Sequence, residues 1–303
     1  MGTRYSAVFH AVAGFEPSVL AASLLAAVDQ VDRQMSTWKP DSDLSRVNAA
    51  ALHEWLEIPG ELATVLATAL RIGQASRGAF DIGVGALVNA WGFGPTQQQA
   101  DARQLAALRE LPAQANETAL QVDLARHRVR KRAALTLDLS GIAKGFAVDQ
   151  MARCLDSFGI PRYLVGIDGE MRARGLKPDG RRWAIAVEKP IRGRREVMGV
   201  MDLTDAAIAT SGDYRRYLQL GDKIYAHTIN PALRAPVQNR LAAVTVVAAS
   251  CMLADAWATA LLVLGEDDGV ELAQQRGMDA VFVLRDGEQF RQISIAAGQL
   301  DSC

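Results

Sequence analysis

The sequence is short of cysteine, of net charge and of long apolar runs, and each shortage excludes a class of protein. Its three cysteines, Cys154, Cys251 and Cys303, form no CxxC pair and no metal-ligand spacing, so they predict no disulfide framework. Lys and Arg number 33 against 34 Asp and Glu, and this balance argues against a nucleic-acid-binding protein. No apolar run approaches the roughly 18 residues that a membrane-spanning helix needs.

The chain has 303 residues, half of them hydrophobic, which is enough to bury a substantial core. No low-complexity linker or short repeat divides it, so we predict a single domain over residues 1–303. The first residues lack the basic and then apolar leader of a secretory signal. We therefore expect the chain as given in the cytoplasm, or in the periplasm if a leader has been removed.

Hydrophobic periodicity predicts helices interspersed with strands, many of them joined as hairpins. Apolar residues three and four apart predict a helix over Pro17–Met35 and further helices over 61–77, 97–111, 252–265 and 268–276. Runs rich in β-branched and apolar residues predict strands over 5–12, 134–139, 163–167, 183–187, 198–203, 207–210, 217–220, 223–229, 243–248, 280–284 and 290–295. The basic run 126–132 is interpreted as a solvated edge strand. This mixture predicts an α+β fold of mostly antiparallel sheets packed with helices.

Two glycine-rich segments have the composition of ligand-binding loops. Residues 80–95 space glycines by two, and Trp91 and Phe93 could either flank a flat ligand or pack into the core. Residues 138–149 follow a predicted strand and open a helix, where free N–H groups favour phosphate, and Lys144 adds a positive charge. Phosphate binding is preferred there over simple helix capping.

Oxygen-bearing side chains form the remaining candidates. Asp255 and Thr259 are one helical turn apart on an apolar helix, a spacing that suits Mg²⁺. The alternative is that Asp255 favours the helix dipole and Thr259 bonds back to a carbonyl. The Asp- and Ser-rich segment 35–46 could be a capped turn, and the lone His227 at a strand end is by itself more often structural.

Taken in order along the chain, these segments resemble the ApbE family of FAD:protein FMN transferases. The resemblance is carried by residues 1–3, 35–38, 80–94, 138–149, 209–217, 227–231 and 254–259. It implies an ApbE-like, T-fold-related architecture and transfer of FMN from FAD to a Ser or Thr hydroxyl of an acceptor protein, with release of AMP. Mg²⁺ is the implied cofactor and FAD the substrate. The implied acceptor is a protein such as a membrane redox-complex subunit or a flavin-dependent reductase.

The resemblance also assigns roles to individual residues. The implied FAD contacts are Met1, Trp38, Ala79, Phe80, Asp81, Asp138, Lys144 and Ile229. Mg²⁺ would be held by the carbonyl of Gly141 and the side chains of Asp255 and Thr259, and His227, or failing that Asp138, would accept the proton of the attacking hydroxyl. Two rival functions stay open: an FAD pyrophosphatase giving FMN and AMP, and a non-catalytic FAD-binding or delivery protein.

The sequence departs from the family pattern at four places. They are Asp168-Gly169-Glu170 in place of Gly-Gly-Asp, Asn230 in place of Asp, Ala232-Leu233-Arg234 in place of a Thr-Gly turn, and Ala258 where some members carry a carboxylate.

Overall fold

The computed structural model describes residues 2–11, 15–95, 107, 116–220, 223–287 and 289–300. These residues form two compact units, each assembled from separate stretches of chain. The first unit comprises the described parts of Met1–Val31, Ile142–Arg215 and Asn239–Cys303, and the second comprises those of Asp32–Gly141 and Arg216–Gln238. The single domain predicted over residues 1–303 stays a prediction.

An eight-stranded, fully antiparallel sheet forms the first unit's frame. In spatial order its strands are β1 (Tyr5–Phe9), β5 (Tyr163–Ile167), β6 (Glu170–Arg174), β9 (Ala207–Gly212), β14 (Leu241–Ala248), β15 (Asp279–Asp286), β16 (Gln289–Ala296) and β17 (Gln299–Leu300). The first six residues of β14 are all buried, as a continuous apolar run in a central strand predicts. A separate two-stranded sheet pairs β7 (Trp183–Glu188) with β8 (Val197–Leu203).

Helices cover this sheet and build its core. They are α1 (Pro17–Met35), which begins in this unit, α6 (Ala143–Ser157), α7 (Cys251–Leu264) and α8 (Glu266–Gln275). Leu261 of α7 and Phe282 of β15 are fully buried in one cluster with Val244 of β14. Ser250 caps the start of α7 by accepting a hydrogen bond from the Leu253 amide at 3.3 Å.

The second unit contains shorter elements. Its helices are α2 (Asp43–Ala49), α3 (Gly60–Ala75), α4 (Gly85–Ala90) and α5 (Asn116–Ala119). One sheet has the order β2 (Leu56–Glu57), β4 (Arg128–Lys131) and β3 (Leu120–Asp123). Two hairpins follow: β10 (Tyr217–Leu220) with β11 (Lys223–Ala226), and β12 (Ile229–Asn230) with β13 (Ala235–Pro236).

The α+β class and the antiparallel pairing are confirmed, but three local predictions are wrong. Residues 134–139 form no strand among the described residues, and Thr136 makes only an isolated bridge to Val84. The Asn48 side chain instead accepts from the Leu137 amide at 2.7 Å and donates to its carbonyl at 3.0 Å, which satisfies the groups that a strand ladder would use.

The basic run 126–132 is the second correction, because β4 is the middle strand of its sheet and no edge strand. Lys131 is buried, and its ammonium donates to the Asn48 carbonyl at 2.6 Å. The predicted strand 223–229 is two strands, since β11 ends at Ala226. The predicted helix 97–111, apart from Ala107, lies outside the described residues. So do residues 221–222, which join the predicted strands 217–220 and 223–229 as a hairpin. None of the described helices combines the length and apolar character that a membrane crossing requires.

Candidate functional site

Lys144 lies at the start of α6 in the first unit and forms a buried ion pair. Its ammonium donates to Oε1 of Glu170, the first residue of β6, at 2.5 Å, and the two side chains are 34% and 3% exposed. Burial by itself lowers the pKa of Lys144, but the charges of Glu170 and Asp255 outweigh burial and raise that pKa above its ordinary value. Lys144 therefore keeps its positive charge, as a phosphate-binding lysine must.

Asp255 is a buried carboxylate on α7, only 3% exposed. Its Oδ2 accepts the Gly145 amide of α6 at 2.9 Å. Burial, followed by the charge of Glu170, raises the pKa of Asp255 to about 7, although Lys144 and the Gly145 amide oppose that rise. Because its surroundings disfavour the negative charge, a cation bound beside Asp255 would stabilise the ionised form of this carboxylate.

The approach of α6 to α7 depends on Gly145. A Cβ added there would lie 2.2 Å from the Cys251 carbonyl oxygen and 2.8 Å from Cβ of Asp255. Only a glycine lets the two helices come close enough for the Gly145 amide to reach Asp255. Glycine in the segment 138–149 therefore brings the lysine and the carboxylate of the site together.

Thr259 lies one turn beyond Asp255 on α7, half-buried, and its hydroxyl is 3.0 Å from Oγ of Ser211 on β9. The alternative considered from the sequence was a hydrogen bond from the Thr259 hydroxyl back to a carbonyl of its own helix. The contact with Ser211 is a different one. The described residues contain no group of three His, Cys, Asp or Glu side chains placed to hold a metal. Any cation here would be held by one carboxylate together with hydroxyl, carbonyl or water oxygens, a set that suits Mg²⁺.

Two buried carboxylates of this region were missed as functional candidates in the sequence. Glu170 was noted only as part of a departure from the family pattern. Asp149 of α6 accepts the amides of Cys251 and Met252 at 3.0 and 2.9 Å and the guanidinium of Arg172 at 2.5 Å. It thereby caps the helix that carries Asp255. Asp149 could have been found from the sequence, because it is a carboxylate on the apolar face of α6 and a buried charge must be paired.

In the second unit, Asp81 and Asp138 lie on segments that are joined by a hydrogen bond. The Asp138 amide donates to the Ile82 carbonyl at 2.7 Å. The Asp138 carboxylate accepts the Ser140 amide at 2.7 Å, and the Asp81 carboxylate accepts the Gly83 amide at 2.6 Å. Burial raises the pKa of Asp81, against the effect of that amide. Gly141, the predicted carbonyl ligand of Mg²⁺, is the last residue of this stretch.

The predicted FAD contacts of the second unit differ in exposure. Trp38 is 50% exposed, so a large apolar ring is available to a ligand, whereas Ala79, Phe80 and Ile229 are buried. Met1 lies outside the described residues.

The two aromatic residues of the segment 80–95 have different surroundings. Trp91 is buried and packs on Tyr225 with ring centroids 5.2 Å apart, which favours the core interpretation for this side chain. Phe93 packs edge-on against His227 at 6.4 Å.

His227 follows β11, and its orientation is fixed by Arg216. Both its backbone amide and its Nδ1 lie within hydrogen-bond distance of the Arg216 carbonyl, at 3.3 and 3.2 Å. Because a carbonyl oxygen can only accept, Nδ1 carries the proton and the basic lone pair is on Nε2. The imidazole therefore has the tautomer of a general base that uses Nε2.

Two of the departures from the family pattern have local structural solutions. Asp168 adopts a φ of 52° in the turn between β5 and β6, a conformation that Asp tolerates better than most residues. Asn230 closes the altered turn after β12, because its side-chain oxygen accepts the Leu233 amide at 3.0 Å.

Comparisons with known proteins agree on one family. The sequence profile described as "ApbE family" matches residues 1–282. The chain is 37% identical to the FAD:protein FMN transferase of Vibrio cholerae serotype O1, over 96% of this chain and 87% of that protein. It is 34% identical to the protein of the same name from Escherichia coli K12, over 96% and 84%.

Solved structures give the same result. The structure described as flavin transferase ApbE from Vibrio cholerae matches with a TM-score of 0.86 and 36% identity, over 98% of this chain and 95% of that one. The apo flavinyl transferase ApbE of Pseudomonas stutzeri matches with a TM-score of 0.83 and 34% identity, over 97% and 96%.

Proposed function

The chain belongs to the ApbE family and is an FAD:protein FMN transferase, and from that premise we propose that it uses Mg²⁺, acts on a Ser or Thr hydroxyl of its acceptor and releases AMP. The supporting observation is the buried group formed by Lys144, Glu170 and Asp255, which combines an anion-binding ammonium with a carboxylate in need of a cation.

The oxygen atoms at this site fit magnesium. Asp255 supplies a hard carboxylate oxygen and Thr259 a hydroxyl oxygen one turn away on the same helix face. Oε2 of Glu170 is buried without a hydrogen-bond partner among the described residues, so the same group also contains an unsatisfied carboxylate oxygen. When bound, Mg²⁺ neutralises charge on the pyrophosphate and on the AMP leaving group. The Gly141 carbonyl remains a predicted third ligand from the family resemblance.

The chain's own residues have separate roles in the proposed reaction. Lys144 binds the pyrophosphate of FAD, and Trp38 offers its exposed ring to the bound dinucleotide. The acceptor hydroxyl oxygen attacks the phosphorus of the FMN half, the bond from that phosphorus to AMP breaks, and Nε2 of His227 takes the hydroxyl proton. Asp138 is the second candidate for that proton.

The test uses the purified protein, FAD, Mg²⁺ and an acceptor domain that carries a Ser or Thr. We expect flavin fluorescence on the acceptor in a denaturing gel and one AMP released for each flavin attached. Replacing the acceptor hydroxyl by Ala should abolish both signals. AMP release without labelling would identify an FAD pyrophosphatase instead, and FAD binding without AMP would identify a binding or delivery protein.

A matched pair of variants tests the metal assignment. Asp255→Ala should lose Mg²⁺-dependent transfer and keep its fold, because it removes the carboxylate ligand of the first unit. Asp267→Ala, on the exposed first turn of α8, is the control and should transfer at the parental rate. Normal turnover by Asp255→Ala would contradict the metal site.

A further inference from the structure

Among the described residues, three buried carboxylates lie beside the start of α7 and only two cations pair with them. Asp149, Glu170 and Asp255 are 4%, 2% and 3% exposed, and their cationic partners are Lys144 and Arg172. Three negative and two positive charges leave one negative charge in excess. Taking an uncompensated charge out of water is strongly unfavourable, so this excess needs an explanation.

The hydrogen bonds show where the excess lies. Asp149 is satisfied, since its two oxygens accept from two backbone amides and from Arg172. Glu170 uses only Oε1, toward Lys144, while Oε2 has no partner among the described residues. Lys144 is thus already paired with Glu170 before any phosphate arrives, and no cation forms an ion pair with Asp255 among the described residues.

We propose that Glu170 is a positioning residue that sets the charge of this group, so that it opposes FAD binding and favours Mg²⁺ binding. With Glu170 charged, the group carries a net negative charge and repels the pyrophosphate until a cation is bound. With Mg²⁺ in place the same group is net positive and attracts it. This inference rests on the proposed function, because it deepens the metal and FAD assignments made there.

A purely structural role for Glu170 makes a different prediction. If Glu170 only held Lys144 in place, removing its charge would weaken FAD binding equally with and without Mg²⁺. If it sets the charge of the group, the same change must strengthen FAD binding and weaken Mg²⁺ binding, because it removes one negative charge. The sign of the change in FAD affinity therefore separates the two roles.

The experiment measures FAD affinity by calorimetry at about pH 8 in EDTA and in saturating Mg²⁺, and Mg²⁺ affinity without FAD. The wild type should bind FAD more tightly with Mg²⁺, by a factor within the about 5–150-fold range that is typical of coupled sites. Glu170→Gln keeps an oxygen for Lys144 but not the charge. We expect it to bind Mg²⁺ about tenfold more weakly and to bind FAD more tightly in EDTA than the wild type does. Asp268→Asn, on the exposed first turn of α8, is the control and should match the wild type.

The double variant Lys144→Met/Glu170→Gln separates charge from folding. It removes one charge of each sign, so one negative charge stays in excess and the Mg²⁺ affinity should remain within about twofold of the wild type. If Glu170→Gln does not fold, this variant alone decides, and a loss of Mg²⁺ affinity of about tenfold or more would overturn the inference. Weaker FAD binding in EDTA by a folded Glu170→Gln would overturn it while leaving the proposed function intact. A wild type whose FAD affinity ignores Mg²⁺ would overturn both.

Discussion

Replacing Asp255 by Asn should stabilise the metal-free protein while abolishing flavin transfer. The side chain of Asp255 is buried, and its pKa rises from 3.8 to about 7 on folding, chiefly because burial disfavours the charge. One pKa unit corresponds to about 1.36 kcal/mol, so the ionised carboxylate lowers the free energy of unfolding by about 4 kcal/mol at most. Asn removes the charge, keeps an oxygen for the Gly145 amide and must place a new NH₂ group. We therefore expect a net gain of about 1–3 kcal/mol.

The sign of the pH dependence follows from the same shift. Because the folded pKa exceeds the unfolded one, the folded protein binds more protons between pH 3.8 and about 7. The contribution of Asp255 is therefore favourable below about pH 4 and is lost as the pH rises through about 7. In EDTA, Asp255→Asn should exceed the wild type in stability at about pH 8 and differ little from it at about pH 4.

The assay is urea unfolding in EDTA at these two pH values, followed by the same titration with Mg²⁺. Added Mg²⁺ should stabilise the wild type at about pH 8 and not Asp255→Asn, since a ligand stabilises only the state that binds it. Asp149→Asn is the contrasting variant: its carboxylate is fully satisfied, so the change should destabilise at both pH values. An Asp255→Asn variant that is less stable than the wild type at about pH 8 would refute the reasoning.

Three further predictions concern other parts of the site. Gly145→Ala places a Cβ 2.2 Å from the Cys251 carbonyl oxygen, so urea unfolding should show a free energy of unfolding lower by about 1–3 kcal/mol or more. Gly199→Ala is the control and should be nearly neutral, because the space around Gly199 is open. His227→Gln should slow transfer by about 10²–10⁴-fold with little change in FAD affinity and should lose the acidic limb of the pH–rate profile; a parental rate and profile would make Asp138 the next candidate. Calorimetry should show FAD bound more tightly than FMN, because the adenylate half and the pyrophosphate have contacts of their own; equal affinities would contradict those contacts.

Local sequence patterns predicted the elements that carry the site. The helix over Pro17–Met35 has the predicted bounds, and the helix with Asp255 and Thr259 begins and ends within one residue of its prediction. Such elements are determined by side chains three and four residues apart, which a single sequence displays.

Pairings between distant residues could not be predicted in this way. Glu170 is 26 residues from Lys144 along the chain, and Asp149 is 102 residues from the Cys251 amide that it accepts. No local period links such partners, so these pairings could not be predicted from the sequence. The strand predicted over 134–139 failed for a similar reason, because Asn48, 89 residues from Leu137, takes the place of a neighbouring strand.

The buried charge at the start of α7 is consistent with function rather than with stability. Around Asp255 the helix is alanine- and leucine-rich, and Ala254, Ala256 and Ala258 are fully buried, so an apolar residue at this position would fit the helix better than a carboxylate does. The fold accommodates the charge because the other face of α7 packs into a large apolar core with β14 and β15. A group that is unfavourable without its ligand becomes favourable when a cation binds, and the free energy lost in the metal-free state reappears as affinity for that cation. The same reasoning applies to Oε2 of Glu170, which has no hydrogen-bond partner among the described residues: a further hydrogen bond would raise stability, but only a cation would offset the negative charge of the group.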